Sequence, residues 1–134
     1  MTSIQSSTFL RRVLLIDAVS SGAMAIALLT FTGLLADLLQ LPAELISEAG
    51  MVLVPFALFV GYLASRTQVA RAAVWALIAM NVVWVVDSVL LLLTGWVEPN
   101  VLGYVFVAGQ AAFVAVLADL EYVGLRRSMQ TQPA

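Results

Sequence analysis

Neither cysteine nor histidine occurs in the 134 residues. The first absence excludes a disulfide framework and any thiol-based redox or zinc site, and with it the quinone-linked thiol-redox membrane enzymes, which need a cysteine pair. The second removes haem ligation, most transition-metal sites and the usual general base. Charge is scarce too: 10% of residues are charged, against roughly 25% in a soluble domain. The net charge of -2 singles out no partner, and without a basic stripe nucleic acid is not expected to bind. No cofactor is expected, and neither a nucleophile–base pair nor a metal set can be assembled, so the chain is not expected to be an enzyme.

What the chain has is apolar sequence: 63% hydrophobic residues and a mean hydropathy of +1.05. Uncharged runs cover 18–36, 49–65, 72–86 continuing past Asp87 to 97, and 99–118. The pattern predicts helices over 9–36, 43–65, 69–95 and 99–125, enough for four spans of roughly 20 residues each. The expected fold class is all-α, a single transmembrane domain over 1–134 in which four helices form an up-down antiparallel bundle, with a short polar tail over 128–134. Leu41-Pro42-Ala43-Glu44 places proline at a first helical position, and Thr94-Gly95-Trp96-Val97-Glu98-Pro99 ends one helix at glycine and restarts the next at proline.

All six basic residues are arginines, and they gather at one end of this arrangement: Arg11, Arg12, Arg66, Arg71, Arg126 and Arg127. The opposite loops hold only Asp37, Glu44, Glu48 and Glu98. By the positive-inside rule both termini are expected in the cytoplasm, in a multi-pass protein of the cell membrane of bacterial inner-membrane type. Arg11-Arg12 before an apolar run, with Ala23-Met24-Ala25 beyond, imitates a signal peptide, but Asp17 interrupts the apolar core and the segment reads as a retained anchor. The two halves resemble each other only faintly, as any two hairpins of like orientation would. The expected partners are the lipid bilayer and either further copies of the chain or a larger membrane complex.

In a bilayer the polar positions are the informative ones, because an ionisable group near the centre costs at least about 2.5–3.5 kcal/mol. Asp17 lies about 8 Å beyond Arg12 along a helix, shallow enough to pair with Arg12, Arg66 or Arg71. Asp87 is some 24 Å from Arg71 and has no arginine on its side. It is either a proton- or cation-binding group or a neutral acid bonded through Ser88 or Thr30. Asn81 and Gln110 both fall near mid-membrane, where the sequence predicts an amide pair between the third and fourth spans. Asn81, Trp84 and Ser88 recur at i, i+3 and i+7 and share one inward face. Asp119 and Glu121 read as a solvated cluster with Arg126 and Arg127.

In size and in its first-helix acid Asp17, the chain resembles the small multidrug-resistance transporters. That family's acid lies deeper and its loop charges are not gathered on one side, so no family is assigned. The expected function is that of a small non-enzymatic membrane protein, an accessory, scaffolding or homo-oligomeric subunit. The alternative is a small proton- or cation-coupled transporter or channel with Asp87, joined by Asp17, as its charge-compensating site.

Overall fold

Local chemistry sets where each helix starts and stops. In the computed structural model, which describes residues 3–130, α1 spans Thr8–Thr30, and its N-cap Ser7 accepts a hydrogen bond from the Leu10 N–H at 3.1 Å. The sequence predicts one helix over 9–36, and the structure divides it. Phe31 leaves helical geometry at φ -113 and ψ 31, and a second helix, α2, follows over Thr32–Leu39. The Thr32 hydroxyl donates to the carbonyls of Leu28 and Leu29, serving acceptors that the interrupted ladder leaves free. Gln40 then turns the chain in the left-handed region at φ 55, and Leu41 N–H bonds the Ala36 carbonyl.

Helix α3 spans Ala43–Ser65 and α4 spans Arg71–Leu93. Gly95, at φ 74, makes the next turn, a conformation that a side chain would oppose. The Asn100 side-chain oxygen accepts from Gly103 N–H at 2.8 Å, capping α5 over Val101–Gln130. The Asn100 amide donates to the Leu38 carbonyl, which ties this cap to α2. Residues 128–130 of the expected polar tail continue α5, and the rest of that tail lies outside the described residues.

Two short strands have no counterpart in the sequence reading, which begins a helix at 69. Strand β1 (Ser3–Gln5) pairs antiparallel with β2 (Gln68–Ala70), in the link between α3 and α4. Its paired Ile4 and Val69 are buried against Leu10, Val74 and Leu125. Ser7 N–H adds a bond to the Ser128 hydroxyl at 2.9 Å. Three-residue strands are too short to show an alternating pattern, so a sequence reading passes over them.

Helix α1 packs chiefly on α3 and, on another side, on α5; α5 in turn packs on α4. Close approaches mark these seams. Gly124 lies against the Leu10 backbone, and Gly103 sits beneath the Leu39 carbonyl beside the Pro99 ring. The helices α3 and α4 are at most marginal neighbours. Large apolar side chains such as Leu58, Ile26, Val105 and Leu93 stand exposed on the outside. In water such a surface would aggregate, whereas lipid matches it. Four helices, α1, α3, α4 and α5, are long and apolar enough to cross a membrane.

Candidate functional site

Three helices bring polar side chains to one buried point. From α4, the Asn81 amide nitrogen donates both its hydrogens: to Asp17 Oδ2 of α1 at 3.1 Å and to Glu121 Oε1 of α5 at 2.7 Å. Ser21, one turn beyond Asp17, donates its hydroxyl to Asp17 Oδ1 at 3.0 Å. Asp17 is 1% exposed and Glu121 0%, so neither carboxyl reaches solvent. The second Glu121 oxygen, Oε2, has no hydrogen-bond partner. Because one nitrogen bonds both carboxyls, their oxygens can be no further apart than two hydrogen bonds end to end.

This arrangement corrects three expectations. Asp17 is held by an amide and a hydroxyl, and among the described residues no arginine pairs with it. Arg66, Arg126 and Arg127 instead lie over the rings of Tyr62, Tyr122 and Phe9. Glu121 is not part of a solvated cluster. It lies on the inward face of α5 with Ala111, Ala118, Leu125 and Ser128, all buried. That spacing of three and four residues was available as a signal, but the nearby arginines suggested solvent. Finally, Asn81 and Gln110 do not meet. Counting rise along each helix from its arginines assumes that the helices start level, and here the side chains of α1, α4 and α5 converge across different helical heights.

Gln110 belongs to a second polar group. Its Oε1 accepts from the Trp84 indole N–H at 2.7 Å, and its amide donates to the Ser88 hydroxyl at 3.0 Å and to the Val107 carbonyl. The Ser88 hydroxyl donates to the Trp84 carbonyl. Trp84 and Ser88 are thus locked to α5 by one glutamine, with Asn81 and Ser88 buried and Trp84 half-buried. Asp87 stands outside both groups. It is exposed and makes no hydrogen bond or ion pair among the described residues. Neither Ser88 nor Thr30 bonds it.

Since α3 and α4 do not close on each other, an apolar cavity of about 770 Å³ opens between them, floored by α1 and α5. Ser21 and Asn81 line it while also donating to the buried carboxyls. A second cavity of about 500 Å³ continues towards Thr94 and Trp96. The two share Met24, Val52, Trp84, Asp87 and Gln110, so Asp87 sits where they join. Among the described residues no group of histidine, cysteine, aspartate and glutamate side chains is arranged to hold a metal ion.

Four long apolar helices of this kind fit a multi-pass membrane protein. No protein-family model matches the chain, nor does any curated protein or solved structure.

Proposed function

We propose that this chain is a small proton- or cation-coupled membrane transporter, without enzymatic chemistry, whose charge-compensating site is Asp17, Asn81 and Glu121. The reading takes the chain as four antiparallel spans with the arginine end in the cytoplasm. Two features support that threading: the one-sided arginines, and the contacts Ser7 to Ser128, Leu10 to Gly124 and Asp17 to Glu121, which ascend α1 while descending α5.

The observation that carries the proposal is the carboxyl pair. Two buried acids within reach of one amide, with no arginine between them, cannot both be left as bare anions in apolar surroundings. A proton or small cation offsets that charge, and the unpartnered Glu121 Oε2 is an open acceptor for it. Ser21 and Asn81 connect the pair to the cavity, which gives an exchanging ion a polar path. Asp87, the sequence-based candidate, lies instead on the cavity wall.

One observation favours a structural reading beside it: the same bonds tie α1, α4 and α5 together, as the polar contacts of a scaffolding or oligomeric subunit would. Flux through sealed vesicles separates the two. In liposomes carrying an internal pH dye, the wild-type chain should dissipate an imposed proton or cation gradient. Asp17→Asn and Glu121→Gln, which keep shape and hydrogen bonding, should abolish that flux while remaining folded. A wild-type chain silent across protons and a panel of monovalent and divalent cations would sink the transport reading and leave the structural one.

A further inference from the structure

The arginine end of the molecule carries more positive charge than its own acids offset. All six arginines gather there, whereas Asp119 is the one exposed acid near that end; Asp17 and Glu121 are buried with Asn81. Among the described residues no arginine forms an ion pair. Where α4 meets α5, two of the six flank an aromatic pair. The Trp75 and Tyr122 rings lie 5.7 Å apart across the seam. Arg71 stands one turn before Trp75 on α4, and Arg126 one turn after Tyr122 on α5. The contacts Trp75 to Tyr122 and Trp84 to Gln110 ascend α4 while descending α5, so both turns lead toward the same end and bring the two arginines to the mouth of one seam. The Arg126 guanidinium lies 5.8 Å from the Tyr122 ring centre, and its Nη1 donates to the phenol oxygen at 3.4 Å. Arg71 has no partner among the described residues. Trp75 and Tyr122 are 46% and 39% exposed, so the rings face outward rather than into the core.

We propose that the α4–α5 seam binds an anionic phospholipid, with Arg71 and Arg126 on its phosphate and Trp75 and Tyr122 against the glycerol and the upper acyl chain. Two guanidiniums with no acid between them call for an anion, and phosphate oxygens match their forked donors. The exposed rings select a lipid over a soluble phosphate. They lie on the membrane side of the charges, and tryptophan and tyrosine favour the level where headgroups meet chains. Basic sites between membrane helices are places where anionic headgroups are recognised. Asp119 lies about 10 Å from Arg126 along α5 and bonds neither arginine, so the seam keeps a net positive charge. The proposal rests on the membrane-spanning reading alone and is independent of transport.

The test reconstitutes the full chain in bilayers of phosphatidylcholine and phosphatidylglycerol, with bromine on the chains of one lipid at a time, and reads quenching of tryptophan fluorescence. Phosphatidylglycerol should occupy the seam about thirtyfold more strongly than phosphatidylcholine. Trp75→Phe, which keeps an aromatic ring there, should remove the quenching that reports this preference. Arg71→Gln with Arg126→Gln should reduce the preference to within about twofold. Arg11→Gln with Arg12→Gln subtracts the same charge from α1 and should leave it within about twofold of wild type. Thermal melts check that each variant is folded. Should the Arg71 and Arg126 pair fail to fold, Arg71→Gln alone, which has no partner to lose, should lower the preference about fivefold. Equal quenching by the two lipids would overturn the proposal, as would equal losses in the two arginine pairs, which would mean a diffuse surface field. Sodium phosphate replacing chloride at constant ionic strength should leave the preference unchanged; its abolition would assign the arginines to a soluble anion and overturn the lipid.

Discussion

Replacing Asn81 by leucine removes one nitrogen and strips two carboxyl groups at once. Glu121 loses the hydrogen bond from Asn81 and keeps its contact with the Asp17 carboxyl, while Asp17 keeps the Ser21 hydroxyl. Leaving a buried acceptor unpaired costs about 1–3 kcal/mol, and losing one of two bonds about 0.5–1.5 kcal/mol. Leucine and asparagine are close enough in size for packing to contribute little. Polar contacts between membrane helices average only about 0.6 kcal/mol, because the separated helices find other partners. That reference state pulls the total toward its lower end, so Asn81→Leu should destabilise the protein by about 1.5–3 kcal/mol. Reversible unfolding in mixed micelles, followed by tryptophan fluorescence, measures it. A double-mutant cycle then locates the loss. Asn81→Leu with Glu121→Leu should show a coupling of about 1–2 kcal/mol, whereas Asn81→Leu with Gln110→Leu should be additive within about 0.5 kcal/mol, since those two amides share no partner. Additivity at Glu121 together with coupling at Gln110 would refute the geometry. So would an Asn81→Leu variant as stable as wild type.

Two further expectations follow from the seams and the threading. A methyl on Gly103 would collide with the Leu39 carbonyl oxygen and the Pro99 ring, whereas on Gly50 its nearest neighbours are mostly the far end of the flexible Leu29 side chain. Gly103→Ala should therefore destabilise by about 1–3 kcal/mol and Gly50→Ala by less, as compared by thermal melts; the reverse order would count against the α2–α5 contact. Cysteines at Gln68 and Met129, both exposed at the arginine end, should resist a membrane-impermeant thiol reagent in intact cells, while one at Glu98 is labelled. Labelling at Met129 would defeat the proposed orientation.

The helices were largely legible because their signals are local. Pro42 and the uncharged run beyond it predict 43–65, and α3 occupies those residues. The break at Phe31 was not legible: the uncharged run passes straight through it to Ala36, and only the geometry shows the Thr32 hydroxyl taking over the Leu28 carbonyl. Polar residues were identifiable from their cost in a membrane, but their pairing was not. Asp17, Asn81 and Glu121 are 64 and 40 residues apart along the chain, and their meeting depends on helix rotation and stagger, which a single sequence leaves open. Glu121 was hidden by its neighbours, since an acid a few residues from two arginines looks like a surface group until its side of the helix is known.

The pairing of β1 with β2 bears on the order of assembly. A chain made from its N-terminus presents Ser3–Gln5 long before Gln68–Ala70 exists, and Asp17 long before Asn81 or Glu121. The first helix must therefore wait, its acid bonded only by Ser21 of the same helix, until Asn81 and Glu121 have been made. Ser128, which receives the Ser7 N–H, arrives last of all. Whatever topology the early helices adopt is provisional until that end is fastened, so a chain halted before residue 121 would lack both the Glu121 carboxyl of its polar cluster and its closing bond.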